Sequence, residues 1–187
     1  FRTAAASMTA LALSLLLGPW MIRKLREFQI GQVIRQEGPT SHKPKAGTPT
    51  MGGLLILAAS LGPTLLWADL TNAYVWIAVL TTAAYGAVGF MDDYLKVVRN
   101  QPGGLVARYK LIGQFSFGLA LGLFLILHPI SPVPATWTMV PFFDGWVAAF
   151  WPAAYVAFVA CVVSGTSNAV NLTDGLDGLA AGLGAIA

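Results

Sequence analysis

The stretch YVWIAVLTTAAYGAVGFM, Tyr74 to Met91, runs through eighteen positions without a charged side chain and then meets two acids, Asp92 and Asp93. A run of that length and apolarity matches the roughly twenty residues a helix needs to cross the hydrocarbon core of a bilayer. Outward from it, Ala4 to Ile22, Gly52 to Ala68, Leu111 to His128 and Trp146 to Gly165 have the same character, and a sixth run starts after Asp177. Composition agrees: 56% of the 187 residues are hydrophobic and 10% are charged, against roughly 25% charged in a soluble domain. Mean hydropathy is +0.68. So few charges cannot cover a water-facing surface, whereas lipid requires none around a spanning helix. The sequence therefore predicts an all-α, polytopic transmembrane bundle, with five spans and the start of a sixth, forming a single domain over residues 1–187.

The first apolar run is too long for a signal-peptide core and ends in Arg23, Lys24 and Arg26 without a small-residue cleavage pattern, so it reads as a span. Phe1 stands where a methionine would start a chain, and Ala187 falls within an apolar run, as if a longer sequence had been cut at both ends. The formal charge of +3 comes from basic residues between apolar runs, which points to anionic lipid or substrate and away from nucleic acid. The lone Cys161, inside an apolar run, excludes an internal disulfide and reads as a buried, inert thiol.

Lys and Arg collect on the cytoplasmic side of membrane proteins. Arg23, Lys24, Arg26, Arg35, Lys43 and Lys45 follow the first span, and Lys96, Arg99, Arg108 and Lys110 follow the third. The links Asp69 to Ala73 and Pro129 to Gly145 hold neither residue type, and only Arg2 falls on their side. The N-terminus is thus expected outside, with Gly31 to Thr50, Asp92 to Lys110 and Ser167 to Asp177 meeting the cytoplasm. Prolines 129, 132, 134 and 141 predict a turn-rich outer loop, and Pro152 a kink in the fifth span. Gly118 with Gly122, and Gly178 with Gly182, have the spacing that permits close helix packing.

Six of the eight acids, Glu27, Glu37, Asp92, Asp93, Asp174 and Asp177, fall on the expected cytoplasmic side. A mid-bilayer carboxylate costs about 2.5 to 3.5 kcal/mol and an interfacial one less, so position alone does not establish function. Asp92 and Asp93 point about 100° apart on a helix and could share one ion only if the helix ends or unwinds there. Lys96, four residues after Asp92, allows a plain i,i+4 ion pair; the alternative is a base or metal ligand beside a phosphate-binding lysine. In SNAVNLTDGLDGLA, Asn168, Asn171, Asp174 and Asp177 recur every third residue and share a face if helical. Asp174 and Asp177 could instead cap a helix, although two amides, two acids and flexible glycines are more polarity than a cap requires. In EGPTSHKPKAGTPTMGG, Lys43 and Lys45 sit among glycines and prolines. Such a loop suits a phosphate without the Walker arrangement, or is a solvated connector. His42 and His128 read as structural or exposed, and no His, Cys and Glu set has zinc spacing.

Three strings in this order, SHKPKAGTPTMGG (Ser41 to Gly53), DDYLK (Asp92 to Lys96) and NAVNLTDGLDGLA (Asn168 to Ala180), closely resemble the phospho-N-acetylmuramoyl-pentapeptide transferases of bacterial cell-wall synthesis. These belong to the polyprenyl-phosphate N-acetylhexosamine-1-phosphate transferase superfamily, and the resemblance covers essentially the whole chain. It implies an enzyme of the bacterial plasma membrane that, with Mg2+, transfers phospho-MurNAc-pentapeptide from its UDP carrier to undecaprenyl phosphate, giving lipid I and UMP. By the same resemblance Asp92 orients or activates the lipid phosphate, Asp93 lies at the metal centre, and Lys45 and Lys96 contact phosphate. Asn171, Asp174 and Asp177 line the nucleotide and metal-proximal pocket, with Asn168 in support; Asp93 and Asp177 are the metal ligands expected within this sequence. Family members have about ten spans, with a further acidic motif and a histidine-rich loop in the C-terminal half, so residues 1–187 alone are expected to be inactive. Membrane lipid is an expected partner, and a homodimer stays open. A sister enzyme using N-acetylglucosamine-1-phosphate, an ion-coupled transporter and a non-catalytic scaffold are the competing readings.

Overall fold

The computed structural model describes residues 1–27, 51–99, 101, 103–173 and 179–186. Its described elements are α1 (Arg2–Glu27), α2 (Gly53–Trp67), α3 (Ala73–Val97), α4 (Ala107–Leu127), β1 (Trp137–Met139), β2 (Val147–Ala149), α5 (Pro152–Thr173) and α6 (Leu179–Ile186). They fall into two compact units, Phe1–Lys110 and Leu111–Ala187. The helices α1, α3, α4 and α5 are long and apolar enough to cross a membrane. Their large side chains, Leu15, Leu16, Leu80, Ile112, Leu123 and Val162 among them, are mostly exposed. A helix with apolar flanks on its outside is stable in lipid and unstable in water, so the chain is a multi-pass membrane protein.

In the first unit α1 packs along α2, and α2 along α3. The start of α1 is pinned to the end of α2: the Trp67 indole donates to Thr9 Oγ1 at 3.0 Å, the Phe1 and Trp67 rings meet edge to face, and Arg2 pairs with Asp69 at 3.1 Å. Thr71 donates to Asp69 from its hydroxyl and its amide. Those bonds, and then Arg2, hold the Asp69 carboxyl below the usual carboxylate range. Asn72 caps α3 by accepting the Tyr74 N–H at 2.9 Å.

The second expected span, Gly52 to Ala68, appears as the apolar helix α2 (Gly53–Trp67), 15 residues long and shorter than the other four. Two boundaries are corrected. The expected loop at Asp92 does not begin there, because α3 runs on to Val97, with an i,i+4 ion pair and a lysine in its last turn favouring continuation. The fifth expected span, Trp146 to Gly165, is shifted: Val147–Ala149 is a strand, and the helix covers Pro152–Thr173.

In the second unit, the backbone of α5 approaches α4 closely. A Cβ on Gly118 would stand 2.7 Å from Ala160 Cα, and one on Gly122 would stand 2.9 Å from Val156 Cα. Pro152 produces no kink within α5 because it occupies the first helical position, where its missing N–H has no partner to lose. The proline-rich link contains a hairpin, with Trp137 opposite Ala149, Thr138 opposite Ala148 and Met139 opposite Val147. Cys161 is exposed on α5, not buried. Its neighbours on one side are the Ala160 and Ser164 that face α4, and a residue one step round the helix faces outward.

Candidate functional site

Asp92 sits in the last turns of α3 and is buried, at 9% exposure, although the surrounding spans bury little. Its Oδ2 accepts from Lys96 Nζ at 2.7 Å and lies 4.0 Å from Lys110 Nζ. Its Oδ1 accepts the Leu105 N–H at 2.8 Å. Two cations and a backbone amide thus converge on one carboxylate, the combination that makes a buried charge tolerable.

The chain after α3 supplies the amide. The Gln101 N–H donates to Leu95 O and the Gly104 N–H to Gln101 O, which folds this segment back over the helix end. Gly104 has φ +60°, and a Cβ there would collide with Asp92 Oδ1 and the Lys96 stem. Only glycine supplies that conformation without strain and also leaves room for the carboxylate.

Asp93 is half-buried, and among the described residues no hydrogen bond or ion pair fixes it. Since α3 does not unwind, Asp92 and Asp93 diverge, and the two cannot jointly chelate one ion as a helix end would have allowed. The plain ion pair anticipated for Asp92 and Lys96 is present, and it belongs to a larger cluster. Among the described residues no group of three His, Cys, Asp or Glu side chains is placed to hold a metal ion. Asp93 lies beside the cluster, in the field of Lys96 and Lys110 but bonded to neither.

In the second unit, Asn168 Nδ2 donates to Gln114 Oε1 at 2.7 Å and to Ser164 O at 2.8 Å. Gln114 Nε2 stands 3.5 Å from Ser167 Oγ. Gln114 and Ser164 are buried, at 2% and 0% exposure, so Asn168 is tied into a polar knot between α4 and α5. Asn171, one turn on, is exposed in the last turn of α5.

Lys45, Asp174 and Asp177 lie outside the described residues. The described units bring together Asp92, Asp93 and Lys96 in one, and Asn168 and Asn171 in the other. Sequence reasoning missed three contributors. From sequence Lys110 reads only as a loop charge, and the Leu105 amide depends on the turn at Gly104. Gln114 is an uncharged amide within an apolar run, and the cost of burying it in lipid is the signal that could have flagged it.

Residues 75–187 match the model described as Glycosyl transferase family 4, and residues 45–57 match Phospho-N-acetylmuramoyl-pentapeptide-transferase signature 1. Similar curated proteins bear the name phospho-N-acetylmuramoyl-pentapeptide-transferase. The one from Koribacter versatilis is 51% identical over 100% of this chain and 53% of its own length. Those from Gemmatimonas aurantiaca and Pelobacter propionicus are 51% and 52% identical, over 100% and 97% of this chain and 51% and 50% of their own lengths. The chain spans about half the length of the curated relatives it matches.

Proposed function

Because the chain belongs to glycosyl transferase family 4, and within it to the phospho-N-acetylmuramoyl-pentapeptide transferases, we propose that it carries part of the active site of an enzyme making lipid I. In that reaction an oxygen of undecaprenyl phosphate bonds to the phosphorus that bears the MurNAc-pentapeptide. The bond from that phosphorus to the UMP oxygen breaks, UMP leaves, and lipid I stays in the membrane. The lysine distribution supports an orientation with Asp92 at the cytoplasmic face of the plasma membrane. There a water-soluble nucleotide and a membrane-held phosphate can meet.

The observation that carries this reading is the cluster at the end of α3, where Lys96 and Lys110 are gathered by one buried carboxylate. Phosphoryl transfer asks a protein chiefly to align anions and neutralise their charge, and preorganised cations do both without reorganising during the reaction. Asp92 keeps the ammonium groups of Lys96 and Lys110 together at the helix end, and a lipid phosphate arriving there is oriented between them. Lys45 adds a further cation to the donor phosphates, and Asn168, Asn171 and Asp174 form the nucleotide side. Magnesium, when bound, supplies positive charge beside the phosphates, with Asp93 and Asp177 as its holders from this chain. A carboxylate left without a hydrogen-bonded or ion-paired partner, as Asp93 is among the described residues, suits that role.

Donor competition tests the substrate assignment. The full-length protein is expected to release UMP from UDP-MurNAc-pentapeptide and not from UDP-N-acetylglucosamine in the presence of undecaprenyl phosphate. Equal or preferred use of the second donor would reassign it to the sister enzymes.

A further inference from the structure

The hairpin between α4 and α5 is built the wrong way round for water. Side chains alternate between the two faces of a strand. The register therefore places Trp137, Met139, Val147 and Ala149 together on one face, and Thr138 and Ala148 on the other. The all-apolar face is the exposed one, while Thr138 and Ala148 are half-buried. In a soluble protein the apolar face of a ribbon turns inward, and a lone two-stranded hairpin is marginal in water.

The tip continues the pattern. The Val140 N–H donates to Trp146 O at 3.0 Å and closes the turn. Within it Phe142 has φ 68° and a side chain that is fully exposed. A bulky residue in the left-handed region is strained, and a water-facing turn avoids that strain by using Gly or Asn. The Phe143 and Trp146 rings lie beside each other at 5.6 Å, and both are more than half exposed.

Depth is fixed by the connection to α5. Only Phe150 and Trp151 separate β2 from Pro152, the first residue of the helix, so the strand end lies within about 11 Å of the span's start. Phe150 folds back and stacks on Phe158 at 4.8 Å. Phe158 is six residues into α5, about 9 Å along its axis. The base of the hairpin therefore stands beside the first turns of a spanning helix. From Pro129 to Trp151 the sole charged residue is Asp144, with no Lys or Arg, so the complementary surface is apolar and not an anionic patch. Trp and Phe next to a span end suit the boundary between headgroups and acyl chains.

We propose that the β1–β2 hairpin is an interfacial anchor, its Trp137, Met139, Val147 face and its Phe142 tip docked into the lipid boundary at the α4–α5 connection. The cost of the Phe142 backbone is then offset by burying its ring in lipid, and the hairpin fixes the depth at which α5 enters the bilayer.

The test uses full-length protein with Cys161→Ser, in vesicles of phosphatidylethanolamine and phosphatidylglycerol, carrying a nitroxide at Phe142→Cys, Met139→Cys or Thr138→Cys in turn. Power-saturation EPR compares collisions with membrane-soluble oxygen and water-soluble nickel chelate. At Met139 and Phe142 oxygen is expected to dominate by several-fold and at Thr138 much less, with no change in high salt. Should the Phe142 variant fail to fold, the Met139 and Thr138 pair carries the comparison. Nickel-chelate access at Met139 equal to that at Thr138 would overturn the proposal. So would strong spin–spin broadening at Met139 without an oxygen preference, which would assign the face to a second copy of the chain.

Discussion

At the residue scale the arrangement turns on Asp92 and the glycine that lets the chain close over it. Gly104 adopts φ +60°, with Asp92 Oδ1 and the Lys96 side chain where its Cβ would be. Gly104→Ala must therefore open the turn or displace the carboxylate, and strain of about 1 to 3 kcal/mol borne by the site lowers turnover roughly 10- to 100-fold. Gly103→Ala, next to it, meets nothing within 4 Å and is expected to behave as wild type. Lipid I synthesis by the two full-length variants, compared with their thermal unfolding, checks this; equal activities would contradict it. The Asp92–Lys96 pair was legible in the sequence because i,i+4 spacing on a helix dictates it. The Lys110 and Leu105 contacts were not, because they depend on how a thirteen-residue return from Asp92 to Leu105 folds, and a left-handed glycine leaves no periodic trace.

At the element scale, packing between α4 and α5 depends on the absence of side chains. The spacing of Gly118 and Gly122 is a weak signal, since many spans carry it. The backbone approach to Ala160 and Val156 gives it meaning here. Gly118→Leu should push the helices apart and destabilise the full-length protein by about 1 to 3 kcal/mol. Gly182→Leu, with nothing within 4 Å, should cost far less. Thermal unfolding in detergent measures both, and comparable losses would argue against the close crossing. The hairpin was illegible for a different reason. Trp146 to Gly165 is apolar throughout, and three-residue strands are too short for alternation to compete with the span pattern. From sequence Pro152 reads as a kink, because its place at the start of α5 emerges only once the strand claims Val147–Ala149.

At the scale of the whole molecule, charge scarcity and apolar runs announced a membrane bundle, and the four long apolar helices agree. Gly53–Trp67 is an apolar helix of 15 residues at the place expected for another span. Apolarity is set by composition, whereas length is set by where capping and turns stop a helix. Three separated polar strings stand out in the sequence, and the described residues contain DDYLK and the asparagines of the third. One measurement bears most directly on the claim that Asp92 organises the phosphate-handling site. It is the rate of lipid I formation from labelled UDP-MurNAc-pentapeptide by the full-length protein and by its Asp92→Asn variant, with folding matched by thermal unfolding. A fall of roughly 10²- to 10⁴-fold, the range for losing a positioned ionisable group, is the expected result; a folded variant that turns over within a few-fold of wild type would contradict the account.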